Sequence, residues 1–87
     1  MKFAIDRPFA DPEAAARKLI EIANSVEAVQ DGRIHIEKIN GPFLYEFRAT
    51  LAEYHAGLNL AIAKGWLTIH RSGVYVQFTQ AGAELFA

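Results

Sequence analysis

The chain contains no cysteine. That excludes a disulfide framework, a thiolate metal site and a cysteine nucleophile together, and it fits a reducing, cytoplasmic setting. A surplus of positive charge is missing too: nine lysines and arginines stand against ten aspartates and glutamates, a formal charge of −1. Proteins dedicated to nucleic acid usually carry a basic excess, so the balance argues against an electrostatically driven binder. No apolar run is long enough to span a bilayer, and Asp6 and Arg7 interrupt the first ten residues, unlike a secretory signal. The six glycines form no phosphate-cradling loop. Serine occurs only as Ser25 and Ser72, and neither sits in a nucleophile elbow. His35, His55 and His70 fall in no metal-ligand spacing. The expectation is a non-enzymatic chain with no catalytic or metal-binding residues, no cofactor, no small-molecule ligand and no membrane association.

What is present is a dense apolar set. Eighty-seven residues make one domain, 1–87, and 52% of them are hydrophobic, which excludes disorder. A domain of this size buries only roughly 60–65% of its unfolded surface, so it needs that density.

Residues 1–10 read as an extended arm ending at Asp11-Pro12-Glu13, a helix start. Asp11 can cap, Pro12 suits the first helical position, and Glu13 meets the positive end of the dipole. Ala15, Leu19, Ile22, Val26 and Val29 then recur at spacings of three and four, which predicts a helix over 12–29, stopped by Asp31-Gly32. Ile34 and Ile36 alternate with His35 and Glu37, predicting a strand over 33–39 with His35 and Glu37 on one face. The stretch 43–48 reads two ways. After the hairpin-type dipeptide Asn40-Gly41, Phe43, Tyr45 and Phe47 alternate as in a strand; Phe43, Leu44 and Phe47 also sit at helical spacing. These aromatics and Trp66 are expected in the core.

Thr50 and Glu53 form a capping box that opens a helix over 51–64, ended by Gly65. A hairpin over 66–78 follows. With Ser72-Gly73 at the turn, Arg71 pairs with Val74, His70 with Tyr75, Ile69 with Val76, Thr68 with Gln77 and Leu67 with Phe78. This register gathers Leu67, Ile69, Val76 and Phe78 on one face. Thr79 caps a last helix over 80–86 with Leu85 and Phe86 turned inward.

A helix ending in Gly65-Trp66-Leu67, a tight hairpin, and then Thr79-Gln80-Ala81-Gly82 with Leu85 resembles the C-terminal half of bacterial winged-helix transcription regulators. The resemblance covers 50–87 well and 12–49 in outline. It implies a small α+β winged-helix domain with a C-terminal β-hairpin wing, whose partner is duplex DNA and whose helix 51–64 enters the major groove. The chain departs from the pattern in lacking the short basic, polar run that usually opens that helix.

On a helical wheel Leu51, Tyr54, Leu58, Ala61 and Ile62 make a core face. Ala52, Ala56, Leu60 and Ala63 make a second apolar face opposite, with Leu60 as its knob. Base edges are read by Arg, Lys, Asn or Gln, and only Asn59 and Lys64 on this helix, with Arg71 on the wing, are equipped for it. The residues therefore favour a module acting through protein contact or homodimerisation, its interface at Ala52, Ala56, Leu60 and Ala63. DNA binding through Asn59, Lys64 and Arg71, with helix 51–64 and the wing at 70–74, is the alternative.

Overall fold

A computed structural model describes residues 7–28 and 32–86 of the protein. Met1 to Asp6 of the expected arm therefore lie outside the described residues, as do Val29 and Asp31. Pro8–Ala10 is a 3-10 turn rather than extended chain. It delivers the Phe9 ring onto Phe43, with 5.0 Å between centroids.

Helix α1 is Pro12–Ser25, and the Asp11 carboxylate accepts the Glu13 amide at its start. It ends earlier than the periodicity of 12–29 predicts. Val26 is already extended (φ −94°, ψ 137°), and the Ser25 hydroxyl donates to the Ile22 carbonyl at 2.7 Å. Asn, Ser and Val are weak helix formers, and a hydroxyl bonding back to the preceding turn competes with the helix ladder.

Strand β1 is only Ile34–His35, not 33–39. Ile36 donates its amide to the Val74 carbonyl and turns into the helical region, and helix α2 runs over Glu37–Tyr45. The open stretch 43–48 thus belongs to a helix as far as Tyr45 and to a turn beyond it. Asn40-Gly41 lies inside this helix instead of in a hairpin turn. Ile39 and Phe43, four residues apart, are both fully buried, so helical spacing outweighs the alternation. The helix also moves Glu37 off the strand face it was expected to share with His35. Pro42 sits within α2 and has no amide to offer, so the helix forgoes the bond back to Lys38. Its carbonyl accepts from both Glu46 and Phe47, and Arg48 reverses the chain at φ 57°.

Helix α3, Leu51–Ala63, begins at the expected capping box: Thr50 Oγ1 accepts the Glu53 amide and Glu53 Oε1 accepts the Thr50 amide. Gly65 follows at φ 75°, the left-handed step that ends a helix. Strands β2, Leu67–Ile69, and β3, Tyr75–Phe78, pair in the expected register from Leu67↔Phe78 to Ile69↔Val76. His70 still donates to the Tyr75 carbonyl, but Arg71 and Val74 do not pair. The Gly73 amide instead closes a turn onto the His70 carbonyl. β3 also pairs with β1, so the antiparallel sheet has the order β1-β3-β2.

The short helix α4 is Gln80–Glu84, with Thr79 accepting the Gly82 amide. Leu85 and Phe86, expected inward, lie just past its end and are 41% exposed each. Phe86 meets Phe78 edge-on. The described residues are therefore α+β, with four α-helices and a three-stranded antiparallel sheet. The core lies where α1 crosses α3, closed by Phe43 of α2 and by Ile34, Leu67 and Val76 from one sheet face.

Candidate functional site

One side of helix α3 is left uncovered by the described residues. Tyr54, Gly57, Leu58 and Ala61 face the core. Ala52, His55, Ala56, Asn59 and Ala63 are exposed. Leu60 is not: it is half-buried and packs against the core cluster, so the four interface candidates Ala52, Ala56, Leu60 and Ala63 do not form one open apolar face. Its place as an exposed large apolar residue is taken by Leu51. Expected in the core, Leu51 is 59% exposed on the first turn of α3. Tyr45, also expected inside, is 82% exposed at the end of α2. Both flank the 46–50 turn. Sequence periodicity misses them because it orders positions around one helix and says nothing of where neighbouring elements end.

Glu53 of α3 and Lys64 at its end are engaged within the protein. Glu53 takes part in the capping box, and its second oxygen accepts from Arg7 Nη2 at 2.7 Å. The Thr50 amide, and after it the Arg7 guanidinium, hold this carboxyl below the usual glutamate range. Lys64, a DNA-contact candidate, leans towards α1: its ammonium is 3.5 Å from Glu13 and 5.2 Å from the Trp66 ring centre. Its pull, behind that of Arg17, lowers the Glu13 carboxyl. Asn59 is exposed on α3, while Arg71 is exposed on a separate element, the hairpin turn.

Beneath α3, burial pushes the Tyr54 phenol up, with Asn40 pulling the other way, so this hydroxyl stays neutral near pH 7.

A groove of about 280 Å³ runs between the ends of α1 and α2, lined by Ile22, Val26, Pro42 and Phe47 with Glu21, Ser25 and Glu46. The Ser25 hydroxyl is spent on the Ile22 carbonyl, and no histidine lines the groove to activate it. Among the described residues no group of three or more His, Cys, Asp or Glu side chains could hold a metal ion. No described helix is long and apolar enough to cross a membrane.

No protein-family model matches the chain, nor does any curated protein or solved structure.

Proposed function

We propose that the chain is a non-enzymatic binding module of the winged-helix type, regulatory in role, which acts through protein contact as a homodimer. The element order α1-β1-α2-α3-β2-β3 and the strand order β1-β3-β2 support the winged-helix reading. One observation carries the mode of action. The open side of α3 presents Ala52, His55, Ala56, Asn59 and Ala63 without a lysine or arginine, next to a turn that carries exposed Arg48 and is flanked by exposed Leu51 and Tyr45. Small side chains allow a second helix to approach closely, and exposed large apolar residues beside them are what an interface would cover.

Duplex DNA is the weaker partner for this helix. Of its two candidate readers, Lys64 is drawn to Glu13, which leaves Asn59, and Arg71 stands on another element. Phosphate neutralisation supplies most non-specific affinity for a duplex, and this surface offers little of it.

Sedimentation at micromolar concentration tests the dimer. Wild type is expected to run as a dimer, and Leu51→Glu with Ala56→Glu as a folded monomer. Leu60→Glu is the poorer probe, because its effect on the core would be mixed with any effect on association. A monomeric wild type throughout the micromolar range overturns the homodimer.

A further inference from the structure

The sheet has a second face, turned away from the core and apart from the α3 surface proposed for the homodimer. In an antiparallel sheet directly opposite residues project to the same side. Ile34, Leu67 and Val76 take the inner side and are buried. His35 lies opposite Tyr75 across the β1–β3 pair, and His70 lies opposite Tyr75 on the hairpin side, its amide bonded to the Tyr75 carbonyl. Three rings therefore stand in one row from edge to edge of the sheet. Their centroids are 4.6 Å apart for His35 and Tyr75 and 5.9 Å apart for Tyr75 and His70. All three are partly open to solvent.

Two arginines lie near this row. The Arg33 guanidinium is 5.6 Å from the Tyr75 ring centre, and Arg71, next to His70, is exposed at the hairpin turn. Residues 65–80 include no aspartate or glutamate, while Asp31 and Glu37 flank residues 32–36. The Ser72 amide lies 3.1 Å and the Ser72 hydroxyl 2.8 Å from His70 Nδ1, which anchors the ring to the hairpin turn.

We propose that this outer sheet face, centred on His35, Tyr75 and His70 with Arg33 and Arg71, binds single-stranded nucleic acid. Bases stack on the rings, while Arg33 beside Tyr75 and Arg71 at the turn meet the phosphates. A single strand fits better than a duplex because a duplex hides the base faces that rings recognise. It fits better than an acidic peptide because carboxylates do not use a row of rings.

The test is fluorescence anisotropy with a labelled single-stranded oligodeoxythymidylate of about twelve nucleotides, within the span that sheet-based binders cover. Binding is expected in the tens of micromolar at ~50 mM salt and should weaken several-fold by ~200 mM. The Arg33→Glu, Arg71→Glu double variant should lose affinity about tenfold, and Tyr75→Leu about fivefold, with circular dichroism confirming their folds. A mixed-sequence duplex of equal length and polyglutamate should each compete at least fivefold less well than unlabelled single strand. The proposal is overturned by no anisotropy change up to ~200 µM protein, by equal competition from duplex or polyglutamate, or by an unaltered double variant. Should Tyr75→Leu not fold, His35→Ala replaces it, and an affinity equal to wild type counts against stacking. None of these readouts depends on the dimer, whose probes lie on α3.

Discussion

Gly57 of α3 lies directly on Ala15 of α1. A methyl group placed on Gly57 would sit 2.7 Å from the Ala15 Cβ and 3.0 Å from its carbonyl carbon. Both residues are buried at the crossing on which the core is built. The two helices meet there at a distance that leaves no room for a Cβ at position 57 opposite Ala15.

Gly57→Ala should therefore destabilise the fold despite adding a better helix former. The helix gains about 1 kcal/mol from the substitution, but forcing the crossing apart costs roughly 1–3 kcal/mol. The expected outcome is a lower melting temperature, by several degrees in a domain of this size. Adding Ala15→Gly should recover part of the loss. A thermal melt in which Gly57→Ala equals or exceeds wild type would show that the helices separate freely.

Gly82 stands in a similar relation to the start of the hairpin. A Cβ there would collide with the Trp66 carbonyl oxygen, while Thr79 donates its hydroxyl to the Gly65 carbonyl and accepts the Gly82 amide. The Thr79-x-x-Gly82 spacing is thus a clasp that holds α4 on the Gly65-Trp66 corner. Gly82→Ala is expected to cost about 2 kcal/mol or more, since the obstacle is backbone. Thr79→Ala should cost about 1 kcal/mol through the lost cap. Chemical denaturation measures both, and hydrogen exchange should show α4 opening first.

Arg48 adopts φ 57° without being a glycine, and its side chain is exposed. A side chain in the left-handed region costs roughly 1–2 kcal/mol, part of which glycine returns through its freedom in the unfolded chain. Arg48→Gly is expected to raise stability by about 0.5–1 kcal/mol. A variant less stable than wild type would mean that the arginine makes up for the conformation elsewhere.

The acid limb of the stability profile should contain a contribution from Glu53. Its folded value is depressed, first by the Thr50 amide and then by Arg7. A depressed carboxyl contributes stability that is fully present above its unfolded value, near 4.3, and is lost as pH falls through the folded value. Glu53→Gln should flatten that limb and leave stability near pH 7 lower by no more than the ~1 kcal/mol typical of a cap. Equal slopes between pH 2 and 5, within the ordinary carboxylate range, would remove Glu53 from the account.

Local chemistry was legible along the chain, and for the candidate site only in part. The helix starts at Asp11-Pro12 and Thr50, the Thr79 cap and the Leu67-to-Phe78 register all formed as expected. Each is closed by partners near in sequence, through a side chain reaching the next turn or a hairpin held by its own loop. Open Ala52, Ala56 and Ala63 on α3 agree with the helical wheel. Half-buried Leu60, exposed Leu51 and Lys64 turned to Glu13 do not follow from it, because each depends on what lies beside α3.

The caps and the pairing of 67–69 with 76–78 were thus set by the order of amino acids alone, since their energies involve groups near one another in sequence, whereas Asn40-Gly41, a turn dipeptide by local chemistry, was drawn into α2. Tertiary contact decided which way residues 36–45 folded, because burying Ile39 and Phe43 together requires α1 and α3 to be in place. It also decided that β1 joins β3 and brings His35 beside Tyr75, forty residues along the chain. A pairing of that kind must offset the entropy of closing a long loop, so its strength lies in the assembled core and not in either strand.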